Sequence, residues 1–389
     1  MIFRKKMTLW TPIFSEKSLE KYFFERNLAK VVENKKKSGI LNSLLFEFHQ
    51  FQTSRRYTMS TVKILHDNDA DASVLNGKTV AVIGYGSQGC AQANCMRDSG
   101  VHVIIGSRKG PSFDRAVADG FETMSFSEAA AKADVIHMLL PDEFHGPVFA
   151  EDIKQHMTAG KTLSCSHGFN IVFGEIVPPA GCDVIMVAPK SPATEERKAY
   201  LAGFGVPGLV AVKQDATGKA LQTALAMAKA MGFTRAGVLE CTFEQETYED
   251  LFGEQNVLCG GCVDLMKYGF ETLVEAGYPP EMAYFECIHE LKLIVDLVFE
   301  GGIQKMNKVI SNTAEFGEYY NGPKIITPDV KERMKESLKR IESGEFARTF
   351  LNEIRVNKSA NLLKAREDLG NHIAEVTGKK IRSLFERKG

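Results

Sequence analysis

The chain has 389 residues, 44% of them hydrophobic and 25% charged, enough for two domains and a large core. Its 48 basic and 49 acidic side chains leave a net charge of −1, which removes any global electrostatic case for binding nucleic acid or a membrane surface. No apolar run reaches the roughly 18 residues of a membrane span, and the eight dispersed cysteines read as packed thiols of a reducing compartment.

Residues 1–58 stand apart. Lys5, Lys6, Lys35, Lys36, Lys37, Arg55 and Arg56 dominate, among scattered aromatic residues. A mitochondrial transit peptide is one reading, but Glu16, Glu20, Glu25, Glu33 and Glu47 argue against it, and there is no secretory h-region. The expectation is a poorly ordered extension, with folding information beginning near Met59 and a cytoplasmic location.

Residues 59–240 alternate between strand and helix. Lys78–Ile83 is a β-branched apolar run suited to a buried parallel strand. It enters Gly84-Tyr85-Gly86-Ser87-Gln88-Gly89, followed by a helical pattern from Cys90 to Asp98 that stops at Gly100, and a second strand, Val101–Ile105. A strand–GxGxxG–helix–strand context marks a dinucleotide site with the pyrophosphate at the helix N-terminus. NAD enzymes usually end the second strand on an acidic residue. Here Arg108-Lys109-Gly110-Pro111-Ser112 follows, a cationic, hydroxyl-bearing loop that suits a 2′-phosphate, so NADPH is predicted. Asp114 is the counter-argument for NADH, and it reads better as the first turn of the next helix.

Further strands are expected at Asp134–Leu140, Thr162–Cys165, Val184–Ala188 and Leu209–Val212. Pro141–His145, Ser166-His167-Gly168 and Pro189-Lys190 follow strand ends, where ligands bind in open α/β sheets. His167 is therefore a candidate catalytic group. Lys190 reads equally as a phosphate or substrate contact and as a surface lysine. A helix through Lys219–Met231 ends at Gly232.

Residues 241–389 read as helical throughout. Cys259-Gly-Gly-Cys262 lies inside a helical pattern without a second CxxC, which favours packing over redox or metal duty. Gly253, Gly260 and Gly261 are costly in a helix unless backbones pack closely there. Asp250 with Glu254, and Glu286 with Glu290, are carboxylate pairs at i and i+4, each pair on one helix face. The second stripe continues into Ile294 and Leu297, so that face looks buried. Buried ionised carboxylates cost several kcal/mol each without compensation. Oxygen ligands without His or Cys at this spacing favour Mg²⁺ over zinc. Gly301-Gly302 ends this helix, and Ser311-Asn312-Thr313 either caps the next or contacts a ligand.

The Rossmann pattern, the rim histidine and the acidic helices together resemble the ketol-acid reductoisomerase family in its short bacterial form. The resemblance runs from about Thr61 to the C-terminus and rests on GYGSQG at 84–89, PDEF at 141–144, SHGFN at 166–170, DLFGEQ at 250–255 and EMAYFECIHELKLIVDL at 281–297. It implies a Rossmann-type parallel-sheet domain followed by an all-helical, knotted domain. It also implies a Mg²⁺-dependent alkyl shift of 2-acetolactate or 2-aceto-2-hydroxybutyrate, then NADPH reduction to a 2,3-dihydroxy acid, in branched-chain amino acid synthesis. Two Mg²⁺ per site are implied, on Asp250, Glu254, Glu286 and Glu290, with at least one of the last two given by a partner subunit of a homodimer or larger homo-oligomer. His167 matches the catalytic histidine, Glu290 is a candidate for moving the proton, and Ser311 matches a substrate contact. Gly84, Tyr85, Gly86, Ser87 and Gln88 match the pyrophosphate loop, Arg108 and Ser112 the 2′-phosphate contacts, and Asp142, Glu143, Phe144 and His145 the adenosine-side rim. Ala193 stands where the family usually places a cofactor-contacting glycine, and Pro111 where a hydroxyl is often found. A metal-free NADP-dependent 2-hydroxyacid-type or 6-phosphogluconate-type dehydrogenase is the competing enzyme class, and a nucleotide-sensing module the competing binding class.

Overall fold

The computed structural model describes residues 62–385; the extension expected at 1–58 lies outside the described residues. The centre is a nine-stranded sheet in the order β1-β9-β8-β7-β6-β5-β2-β3-β4. The strands are β1 (Ile64–Leu65), β2 (Thr79–Ile83), β3 (His102–Gly106), β4 (Glu122–Met124), β5 (Val135–Met138), β6 (Thr162–Cys165), β7 (Asp183–Pro189), β8 (Gly208–Gln214) and β9 (Val238–Cys241). Val80, Ala81, Val82 and Ile83 of β2 are wholly buried, as expected of a strand covered on both faces. One face carries the helices Ser87–Asp98 and Ala220–Ala230, the other Phe126–Lys132 and the segment Asp142–Ile153.

From β2 the chain builds outward to β3 and β4, then returns to place β5, β6 and β7 on the other side. The order reverses between β2 and β5, and the crevice at their carboxyl ends is where an open α/β sheet takes its ligand. Two features differ from the expected parallel sheet. β1, β4 and β9 are additional strands, too short or too polar to stand out in the sequence. The β7·β8 and β1·β9 pairs are antiparallel. Pro189 pairs with Gly208, so the chain leaves β7 and re-enters β8 at the same end. The intervening helix, Ala193–Leu201, stays at the ligand rim.

After Cys241 the described residues are helical. Two stretches depart from α-geometry: Glu254–Leu258 and Phe285–His289 are π-turns, a feature often found at functional sites. They change one expectation. A Cβ on Gly260 or Gly261 would lie 2.1 Å from the carbonyl oxygen of Gln255 or Asn256. These glycines are therefore required by the carbonyls of the adjoining π-turn rather than by a neighbouring helix. Gly301 and Gly302 break the Leu291–Val309 helix with φ of −159° and +77°. Cys95, Cys165 and Cys182 are buried as expected, whereas Cys259 is exposed.

His137 on β5 is wholly buried, and burial pulls its imidazole down to about 3. An unfolded histidine titrates near 6.5. Between those values the unfolded chain binds one proton more than the native one, so stability falls as pH drops through that window, by about 1.4 kcal/mol per unit. His137→Met should remove that increment from the slope of unfolding free energy between pH 6 and 4, measured by urea titration. An unchanged slope would mean that His137 is not neutral in the native state.

Candidate active site

The Gly-rich loop is built as a dinucleotide cradle. Gly84 has φ of +101°, and its amide donates to the Gly106 carbonyl at 2.9 Å. A Cβ on Gly89 would sit 2.1 Å from the Gly84 carbonyl oxygen, so only glycine lets the helix start this close to β2. Gly86 is the N-cap residue, and a Cβ there would meet nothing. Its missing side chain thus leaves space on the outer side, where a phosphate approaches the free amides of the first helical turn. Ser87 and Gln88 begin that turn.

Tyr85 belongs to this loop only through its backbone. Its ring is buried, and its hydroxyl donates to Asp119 at 2.7 Å. At the end of β3, Arg108 is exposed, with its guanidinium 5.7 Å and 5.9 Å from the ring centres of Phe126 and Phe144. Gly110 precedes a helix with Pro111 at its first position and Ser112 and Asp114 in its first turn. Asp142 and Glu143 open the Asp142–Val148 helix, and Phe144 is exposed beside Arg108. His145 instead turns inward: it is buried and its Nε2 bonds the Leu140 carbonyl at 2.7 Å. Ala193 is buried at the start of its helix.

The chemistry gathers at the carboxyl ends of β6 and β7. Thr242 and Gln245 form a capping box that starts the Phe243–Gly253 helix. The helix carries Glu246 and Asp250, four residues apart, towards the strand ends. His167 Nδ1 lies 3.1 Å from Glu246 Oε2 and 3.6 Å from Asp250 Oδ2. Lys190 Nζ lies 2.7 Å from Asp250 Oδ1 and 3.3 Å from Glu246 Oε1. The Gly168 amide also donates to Glu246 Oε2, at 3.1 Å.

Burial alone would push the Glu246 carboxyl up, but His167, Lys190 and the Gly168 amide hold it below the usual carboxylate range. Burial pulls the His167 imidazolium down, and the Glu246 carboxylate overrides this, pushing it up to about 9. Lys190 is raised in the same way: burial opposes its charge, and Glu246 and Asp250 outweigh burial. Glu254, one turn beyond Asp250, is pushed up by partial burial and by the Asp250 charge. Among the described residues, His167, Glu246 and Asp250 form a group whose ligand atoms all lie within 4.8 Å of one another.

Asp250 and His167, which the sequence singled out separately, lie together. Glu246 was missed, although its place one turn before Asp250 extends the same stripe to Glu246-Asp250-Glu254. The second pair is placed differently. Glu286 and Glu290 are exposed, on and just after the Phe285–His289 π-turn, and Ile294 and Leu297 are only half-buried. A π-turn also shifts the i, i+4 register, so the expected buried acidic face does not form within the described chain. Ser311 caps the Asn312–Ile325 helix, accepting from the Ala314 amide at 3.1 Å.

A dinucleotide crevice at the switch point, bordered by a charged His–Lys–carboxylate cluster, defines a nicotinamide-nucleotide-dependent oxidoreductase. Comparison with known proteins narrows the class. Residues 74–237 match the acetohydroxy acid isomeroreductase NADPH-binding domain, and residues 243–387 match the ketol-acid reductoisomerase C-terminal domain. The chain is 71% identical over 324 residues to a ketol-acid reductoisomerase (NADP(+)) of Akkermansia muciniphila, a match covering 83% of this chain and 99% of that one. It is 60% identical over 334 residues to a ketol-acid reductoisomerase (NAD(+)) of the uncultured archaeon GZfos26G2, covering 84% and 100%. A solved NADH-preferring ketol-acid reductoisomerase from an uncultured archean superposes with a TM-score of 0.81 at 60% identity, over 84% of this chain and all of that one. This chain belongs to the ketol-acid reductoisomerase family.

The geometry makes His167 a reporter of its partner. In magnesium-free protein its NMR titration midpoint should lie well above that of a free imidazole. Glu246→Gln should lower it by at least about one unit, since a neighbouring opposite charge is worth that much. A midpoint that does not move would show that Glu246 is not the dominant partner.

Proposed function

We propose that the chain is a magnesium-dependent ketol-acid reductoisomerase that converts 2-acetolactate or 2-aceto-2-hydroxybutyrate to the corresponding 2,3-dihydroxy acid, in branched-chain amino acid synthesis in the cytoplasm. The observation that carries the reading is the placement of Glu246, Asp250, His167 and Lys190 together at the rim of the dinucleotide crevice. A metal-free dehydrogenase has no use for a stripe of three carboxylates there.

The residues present fit a hard divalent cation. Asp250 already ion-pairs with the Lys190 ammonium, and the neighbouring Glu254 is pushed towards its neutral form by burial and by Asp250. The stripe therefore carries more negative charge than Lys190 and His167 offset on its Glu254 side, and its ligands are oxygens. Asp250 and Glu254 would hold magnesium, with Glu286 and Glu290 also contributing, at least one of them from a partner subunit. When bound, magnesium supplies positive charge that stabilises alkoxide character during the alkyl shift, and the nicotinamide supplies the hydride. The chain's own groups do the rest. Glu246 fixes the orientation of His167 through Nδ1. Lys190 uses two N–H groups on Glu246 and Asp250 and has a third for a substrate oxygen. Glu290 is the candidate for holding the migrating proton, and Ser311 for orienting the substrate carboxylate.

NADPH is the cofactor the loop chemistry favours. Arg108 is exposed and faces ring planes on two sides, and Ser112 stands at a helix N-terminus; together they suit a 2′-phosphate. NADH is the second reading, because the relatives at 60% identity are named for NAD(+) and NADH. We also propose a division into a cofactor domain, residues 59–240, and a helical metal and substrate domain, residues 241–389.

Exposed apolar side chains of the helical half support homo-oligomerisation. Phe299 is 91% exposed, and Leu258, Tyr268, Ile303 and Phe316 are each more than half exposed. Apolar exposure on this scale marks an interaction surface, and Phe299 and Ile303 lie on the helix that begins just after Glu290. A second copy of the chain would cover both.

The deciding measurement is oxidation of NADPH with 2-acetolactate, with and without Mg²⁺, repeated with NADH. Mg²⁺-dependent oxidation is expected, and Asp250→Asn should lower it by at least about a hundredfold while leaving NADPH binding intact. Oxidation that needs no Mg²⁺ would point to the dehydrogenase. In a separate test, Phe299→Arg should yield a protein that stays monomeric by light scattering, binds NADPH and no longer turns over. A fully active monomer would exclude a shared site.

A further inference from the structure

Away from the acidic cluster, one connected set of buried polar side chains runs through the Rossmann half. His137 and Gln92 both have no exposed surface. His137 uses both ring nitrogens: Nδ1 lies 2.9 Å from Ser164 Oγ on β6, and Nε2 lies 2.7 Å from Gln92 Oε1. Gln92 sits in the helix that follows the Gly-rich loop. Its Nε2 donates to Gln88 Oε1 at 3.2 Å and to Ser166 Oγ at 3.1 Å. Ser166 Oγ in turn donates to the Val187 carbonyl on β7 at 2.9 Å. Gln88 Nε2 reaches the Ser191 carbonyl at 3.4 Å.

Chemistry sets the direction of each bond. An amide oxygen only accepts, so His137 carries its proton on Nε2 and accepts from Ser164 at Nδ1. Burial, by pulling the imidazole far down, keeps it in this neutral form. A leucine or methionine pair would fill the same space without desolvating four polar side chains. A satisfied polar network instead rigidifies what it joins, and the two segments it joins are significant. Gln88 belongs to the loop that faces the dinucleotide, and Ser166 immediately precedes His167.

We infer that Gln92, oriented by His137, is a positioning residue that fixes the dinucleotide loop relative to the His167 segment. Its place between Gln88 and Ser166 couples cofactor placement to the reacting edge of the site. The inference rests on the reductoisomerase reading for its kinetic arm alone. Loss of the tie should let the two edges drift, and a misplacement of about 1 Å can cost up to a hundredfold in rate.

The test compares wild type, Gln92→Met and the double variant Gln92→Met/His137→Met. Three readouts are needed: the Kd of the nicotinamide nucleotide by fluorescence, kcat for reduction of a 2-keto acid supplied directly, and the thermal midpoint. The single variant orphans His137 and should lose stability. The double variant removes both polar partners, which can be nearly neutral, so its thermal midpoint should recover towards wild type. If the pair positions the site, both variants bind nucleotide several-fold more weakly and reduce at least about tenfold more slowly, and the double variant stays impaired despite its regained stability. Recovery of Kd and kcat together with the thermal midpoint would make the network a packing feature only and overturn the inference, as would wild-type constants in the single variant. If wild type binds nucleotide but turns over nothing, the reductoisomerase reading fails, and the Kd comparison alone still decides this one.

Discussion

The site depends on one buried carboxylate. Glu246 is 1% exposed, and an ionised side chain in that position costs several kcal/mol unless its oxygens are satisfied. They are satisfied from three directions: the imidazole of His167, the Gly168 amide and the Lys190 ammonium. His167 and Gly168 follow β6, Lys190 follows β7, and Glu246 belongs to the first helix after β9. The same charge therefore docks that helix on the strand ends and aims two cationic groups into the crevice. The fit is close: a Cβ on Gly168 would come within 2.2 Å of Thr247 Oγ1. Asp250 shares both cations with Glu246, so the orientation of His167 and Lys190 and the attachment of the helix rest on one network.

Much of the Rossmann half was legible. β2, β3 and β5 to β8 are short β-branched or apolar runs bounded by glycine, proline and polar residues, and their burial on both faces gives them that composition. β1 has two residues and β4 carries Glu122 at its start, so neither has room to show a period. The antiparallel entry of β8 was not legible either. Strand direction depends on which end of the sheet the connection returns to, and the side-chain pattern of Gly208–Gln214 reads the same both ways.

The acidic residues show the reach and the limit of spacing arguments. Asp250 was found because i, i+4 pairs share a helix face, and Glu246 follows from the same rule applied one turn earlier. Glu286 and Glu290 obey the same spacing in the sequence but fall on and just after a π-turn and face solvent. A helical period does not encode a π-turn, since one extra residue per turn leaves the composition unchanged. Nor does it encode what covers a face. Helices as apolar as Leu291–Val309, with Phe299 nearly fully exposed, have a sequence made for burial that the described chain does not supply.

Cofactor choice sits apart from all of this. Gly84 and Gly89 are held to glycine by close backbone approach, while Gly86 leaves open space at the helix start, an arrangement suited to the pyrophosphate that both nucleotides share. The stretch from Arg108 to Asp114 follows β3, whereas the Glu246 cluster is built on residues that follow β6, β7 and β9. Relatives named for NADP(+) and for NAD(+) match this chain at 71% and 60% identity. Arg108, lying near the faces of Phe126 and Phe144, presents there a cationic group of the kind that suits a phosphate.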